Sequence, residues 1–144
     1  MTYEAAVLAD HPSFLWLLNE TTGGTAADAT GNGNTGNYSA GASPTTTHNP
    51  LFQSAAADFT SGGFATANET LTNFQTVTAE GWFSTTTALG GAIMSYGNTN
   101  FIVYMHNDGT LSFGVWTGSA TVVAGPTAAA CNDGGWHHVV ATFN

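Results

Sequence analysis

An all-β antiparallel sandwich or barrel is the fold class that the sequence predicts, on three observations. Helical periodicity is almost absent. Short runs of β-type residues recur at fairly regular spacing. Gly, Asn, Asp and Thr punctuate the intervals between them.

The one plausible helical turn is "YEAAVLAD" (3–10), closed off by Pro12. The predicted strands follow in order: "SFLWLL" (13–18), "TGNYS" (35–39), "AAADF" (55–59), "GFATA" (63–67) and "TVTAEGWFSTT" (76–86). They continue with "AIMSYG" (92–97), "NFIVYMH" (100–106), "TLSFGVW" (110–116), "ATVVAG" (120–125) and "WHHVVATF" (136–143). Period two is visible inside them. Phe101, Val103 and Met105 share one face, and Ile102, Tyr104 and His106 the other; Leu111, Phe113 and Val115 oppose Ser112, Gly114 and Trp116. Aromatics stand on both faces, so one face is expected to be partly covered or to bind something. "NDGT" (107–110) predicts a two-residue hairpin with positive φ at Asp108 and Gly109. Residues 40–50, "AGASPTTTHNP", carry turn chemistry throughout and are expected to be a loop.

The chain of 144 residues is long enough for one domain, 1–144, and its hydrophobic fraction of 42% supplies a core. It contains no Lys and no Arg against nine Asp and Glu, for a net charge of −9. Phosphate neutralisation needs Lys or Arg, so nucleic acid and anionic membranes are strongly disfavoured as partners. No apolar run is long enough to span a bilayer, and no basic segment followed by an apolar stretch marks a signal peptide. Cys131 stands alone among small residues in "AAACND", which predicts a buried, inert thiol.

"YEAAVLADHPSFLWLLNETTGGTAADATGNGNTGNY" resembles the opening of laminin-G-like domains of the concanavalin A-like lectin/glucanase superfamily, in the bacterial and phage branch. "AAADFTSGGFATA", "VTAEGWFSTTT", "DGTLSFGVW" and "GGWHHVVATFN" resemble later pieces of the same family in the same order. The resemblance implies a jelly-roll β-sandwich. It departs from the family pattern at Leu17 and neighbouring neutral residues, where a basic residue normally stands. The family also continues past Trp-His-His-Val with further strands. The expectation is therefore that this chain lacks the last strands, which either a continuation or a neighbouring chain supplies. Apolar groups on both faces of 136–143 point the same way, to a strand with neighbours on both sides.

Three groups of residues invite a chemical reading. In "DATGNGNTGNY" (28–38), Asp28, Asn32 and Asn34 present alternating oxygens along a glycine-rich turn. The segment reads either as a tight structural loop or as a Ca²⁺ loop, with a second carboxylate drawn from Glu20 or Asp133. Trp82, Tyr104 and Trp116 offer flat rings for stacking on sugars, with Asn100 and His106 as polar partners. The five His lack the spacing of a zinc site, and His137 and His138 face opposite sides of a strand. No paired carboxylates share a strand at glycosidase spacing, Glu80 being alone on its own, and no Gly-x-Ser-x-Gly elbow occurs.

The functional expectation is a non-catalytic adhesion or carbohydrate-binding module, extracellular or on a virion surface, acting on a surface glycan within an oligomer or larger assembly. A start at Met1 without an export signal fits a phage virion protein, released by lysis. The rival from another class is a structural virion or filament protein that packs against neighbouring subunits. An accessory domain of a glycan-processing enzyme is a third reading.

Overall fold

Strands joined by glycine-rich turns dominate the chain, as its patterning requires. The computed structural model describes residues 2–49, 54–67, 76–97 and 100–144. They fall into two compact units, Met1–Thr70 and Leu71–Asn144.

The first unit opens with α1 (Tyr3–Ala9), capped by Thr2, whose hydroxyl accepts from Ala5 N at 3.2 Å. It continues with β1 (Thr25–Ala26), β2 (Gly36–Tyr38), β3 (Ser43–Asn49), β4 (Ser54–Asp58) and β5 (Ala65–Thr66). These form a three-stranded sheet in the order β1-β2-β5 and a β3-β4 pair, all antiparallel.

Two expectations are corrected here. Residues 13–18 form no strand and contribute only an isolated bridge between Trp16 and Asp28. The polar groups of this segment are taken by loop 28–34 instead of a ladder, and Leu18 turns the chain with a φ of 53°. Residues 40–50 were expected to be a loop, yet most of them form β3. Three consecutive Thr favour extended backbone, and Pro44 sits near the strand start, where a proline is tolerated, with a register shift between it and His48.

The second unit holds β6 (Val77–Ser84), β7 (Gly91–Tyr96), β8 (Phe101–Met105), β9 (Leu111–Trp116), β10 (Thr121–Ala124) and β11 (Trp136–Phe143). Every one of them matches a predicted strand within two residues at each end. A four-stranded sheet runs β10-β9-β8-β7, and β11 pairs with β6. Register places Phe101 opposite Val115, Val103 opposite Phe113 and Met105 opposite Leu111. This is the predicted apolar face. Val103, Met105 and Val115 are fully buried on it. Full burial of each such side chain is worth about 1.5–3 kcal/mol. Tyr96, Phe101 and Phe113 extend the packing with ring centroids 6.3 Å apart for each of the two neighbouring pairs. Gly81 of β6 backs onto this face: a Cβ there would lie 3.4 Å from Met94 Sδ. Ala141, on the same side of the β6–β11 pair, is buried with it.

The β8–β9 hairpin is where expected, but its turn is of another kind. Gly109 N donates to His106 O at 2.9 Å, and His106 N donates to Thr110 O at 2.8 Å. Gly109 alone has positive φ, at 82°; Asp108 does not. The connection is a turn centred on Asn107 and Asp108 followed by a left-handed glycine, the three-residue form with a bulge.

Candidate functional site

Loop 28–34 is built around one carboxylate. Asp28 Oδ1 accepts from Leu15 N at 3.1 Å, Thr30 N at 3.1 Å and Thr30 Oγ1 at 2.7 Å. Oδ2 accepts from Asn34 N at 2.9 Å. Burial pushes this carboxyl up, but the donors from Leu15, Thr30 and Asn34 outweigh burial and hold it below the ordinary 3.8. The two asparagines act as donors: Asn32 Nδ2 reaches Ser13 O at 3.1 Å and Asn34 Nδ2 the same oxygen at 2.9 Å. Trp16 Nε1 closes the arrangement on Asn34 O at 2.8 Å. Its ring lies over Gly36, where an added Cβ would come within 2.8 Å of it. The stretch 28–34 is therefore a clasp that holds the segment 13–16.

The same donor set limits what a cation would find. Asp28 Oδ1 already has three donors, while Oδ2 has one. The amide oxygens of Asn32 and Asn34 take no part in the bonds above. Glu20 is engaged elsewhere: Oε1 accepts from Ala27 N at 2.7 Å and Oε2 from Tyr38 Oη at 2.8 Å. Burial first, and then this carboxylate, push the Tyr38 phenol well above its ordinary value. Asp133 accepts from Gly135 N and contacts His137 Nε2, each at 2.8 Å. Among the described residues no three His, Cys, Asp or Glu side chains gather into a metal-binding group.

Sequence reading missed a repeated device in these contacts. Asp28-Ala29-Thr30, Asp58-Phe59-Thr60 and Asp108-Gly109-Thr110 share the pattern Asp-x-Thr, and in each the carboxylate accepts from the Thr backbone N–H. The threefold recurrence of that tripeptide was the signal available.

The aromatic candidates divide between two sheets. Ile102 pairs with Gly114 and Tyr104 with Ser112, so these residues share the face opposite the core. Trp116 continues the same row, its backbone N–H donating to Asn100 O at 2.9 Å. Tyr104 is 36% exposed and Trp116 40% exposed, values that leave much of each ring open to solvent. Tyr104 meets the His106 ring edge-on at 5.4 Å, and His106 Nε2 lies 2.8 Å from Ser112 Oγ. Beside them a shallow depression of about 430 Å³ is lined by Tyr104, His106, Asn107 and Asp108. Asn100 stands at the Trp116 end, its amide over Gly97. The structure thus brings Tyr104 and His106 together and pairs Asn100 with Trp116.

Trp82 does not join them. It lies on β6, stacked on His138 of β11 at 4.7 Å with 16° between the planes. His138 Nε2 is 3.9 Å from Glu80 Oε2. His137 faces the other way, as its register requires, against Phe83 at 5.8 Å. Cys131 is only half-buried, which corrects the expectation of a buried thiol. It sits in the connection after β10, where its N–H donates to Gly109 O at 2.9 Å.

Every described strand pair is antiparallel, and one sheet carries Tyr104 and Trp116 on a solvent-open face, which places the chain among antiparallel β-sheet proteins. Residues 58–144, more than half of the chain, match the laminin G family described as the Concanavalin A-like lectin/glucanases superfamily, and the chain belongs to that family. No curated protein and no solved structure gave a match. The fold is that of a concanavalin A-like β-sandwich, and domains of this kind are carbohydrate-binding or adhesion modules in general, usually extracellular and generally non-catalytic. Among the described residues no helix is long and apolar enough to cross a membrane.

Proposed function

We propose that this chain is a non-catalytic, carbohydrate-binding adhesion module displayed outside the cell or on a virion surface. The observation that carries the reading is the solvent-open face of β8 and β9, with Tyr104 and Trp116 exposed on one sheet and His106 oriented by Ser112. Exposed rings stack on the apolar faces of pyranoses, and adjacent polar groups fix hydroxyls. Immobilised polysaccharides should retain the protein. Tyr104→Ala and Trp116→Ala should each weaken retention while leaving the melting temperature within about 2 °C, because both rings project away from the core. Retention unchanged in both variants would end this assignment of the site.

A structural Ca²⁺ at the clasp is the companion reading. Asp28 Oδ2 and the amide oxygens of Asn32 and Asn34 are the donors that would hold the ion. Calcium bound to the folded state alone raises the melting temperature with concentration. Identical melting curves in millimolar Ca²⁺ and in excess chelator would leave hydrogen bonding as the whole account of the loop.

The structural-subunit reading rests on a different observation. Among the described residues β11 pairs with β6 alone, and Val140 on it is 54% exposed. No charged Asp or Glu follows Asp133 to blunt that edge. Association of this chain at tens of micromolar in sedimentation favours the packing role, and a stable monomer removes it.

A further inference from the structure

We infer that the ligand of the Tyr104–Trp116 face is an extended glycan chain of about four linked units, neutral or amine-bearing, lying along β8 and β9; this rests on the carbohydrate-binding reading above. The spacing of the two rings sets the length. Trp116, Gly114 and Ser112 stand in one row on β9, and Tyr104 lies across from Ser112. Four residues along a strand and one step across the sheet separate the rings by roughly 14 Å at their Cα atoms. A single pyranose is far too short to touch both, so the two platforms engage different units of one chain.

The surface between the rings suits an extended ligand. Gly114 carries no side chain, and Ile102, Thr121 and Val123 methyl carbons close over it, 3.7–3.9 Å from where a Cβ would sit. Ala92 and Ser95 of β7, beside Tyr104 and Ile102 on the same face, are small and exposed. The middle of the face is therefore low and apolar, with a taller aromatic at each end. Polar groups gather beyond Tyr104, where His106, Asn107 and Asp108 line the depression.

Charge decides the class of glycan. The chain has no Lys and no Arg and a net charge of −9. The polar end of the face adds the Asp108 carboxylate. Uronic, sialylated, sulfated or phosphate-bearing polymers would meet a field of their own sign and no fixed cation to pair with. Neutral polymers meet no such penalty, and glucosamine-type amines are attracted.

The test uses the full chain on a panel of immobilised polysaccharides: neutral glucans, mannans and galactans, partly deacetylated chitin, pectate and a sulfated galactan. Hydrolysates of whichever polymer binds then supply a length ladder. Affinity should climb from the monosaccharide to the tetrasaccharide and level off. Tyr104→Ala and Trp116→Ala should each lose about tenfold on the tetrasaccharide. Each variant should also flatten the ladder, because one platform then remains. A monosaccharide that binds as tightly as the tetrasaccharide overturns the inference and leaves carbohydrate binding intact. Tightest binding to pectate or sulfated galactan overturns the charge argument. Retention by no polymer removes the inference together with the reading beneath it. Self-association abolished by Trp116→Ala would assign the face to contacts between copies of the chain and overturn it as well.

Discussion

Asp28 and Gly109 show how single residues hold this chain without ion pairs to Lys or Arg. Asp28 joins two segments through four accepted hydrogen bonds. Asp28→Ala should cost roughly 2–3 kcal/mol in urea unfolding, the half-exposed donors recovering part of the loss from water. Asn32→Ala, which removes donors to carbonyls at the surface, should cost under about 1 kcal/mol. Equal losses for the two would mean that the carboxylate does not organise the loop. Gly109 is constrained twice. Its φ is 82°, and a Cβ there would overlap Asn132 Oδ1, whose amide is fixed by donation to Thr87 O at 2.8 Å. Gly118 has a similar φ of 90° with nothing within 4 Å. Gly118→Ala should therefore cost about 1 kcal/mol and Gly109→Ala at least twice that. The difference between them should shrink in an Asn132→Ala background.

At the scale of elements, most strands were legible because their alternation is carried by large side chains. Phe101, Val103 and Met105 alternate with Ile102 and Tyr104, which shows a strand of period two, while the choice of buried face comes from packing, since both sets are apolar or aromatic. The failures share one physical cause. Residues 13–18 look like a strand by composition, but Asp28, Asn32 and Asn34 take their backbone groups. Ser43–Asn49 looks like a loop by composition, but β4 supplies a ladder for it. Local preference is overruled where a distant segment satisfies the backbone. The candidate site was half legible: Tyr104, Trp116, Asn100 and His106 are spaced along one sheet, whereas Trp82 is not, since no periodicity within a strand reveals which sheet the strand joins. The Asp-containing turns also make a pH prediction. The amide and hydroxyl of Thr60 hold Asp58 below 3.8, those of Thr110 hold Asp108, and His137 and Gly135 hold Asp133; Asp28 is held likewise despite burial. Each is a stronger acid folded than unfolded, so its contribution is complete above about pH 4 and is lost as pH falls through the folded values. Protonation also relieves the repulsion of the net −9, so the turns are read by difference: near pH 7 an Asp28→Asn, Asp58→Asn, Asp108→Asn variant should melt below the unsubstituted chain, and the gap should close by about pH 2; a gap that does not change with pH would show that these turns contribute nothing.

For the molecule as a whole, the dominant electrostatic fact is repulsion. The net charge is −9, and the ion pairs among the described residues all depend on a protonated His: His137 with Asp133 at 2.8 Å and His138 with Glu80 at 3.9 Å. Salt therefore has much repulsion to screen and little attraction. Raising NaCl from about 10 mM to about 300 mM shortens the screening length several-fold and should raise the melting temperature. A fall would require attractive pairs that the composition does not provide.

The same composition makes the chain chemically addressable. Cys131 is the one thiol in the sequence, half-exposed in the connection after β10. No lysine competes for reagents, so a maleimide dye would attach at that one sulfur without any substitution. The Cys131 N–H donates to Gly109 O, and Gly109 follows Asp108 of the depression. The dye would therefore sit beside the polar end of the open face, and its emission would report glycan arriving there, molecule by molecule.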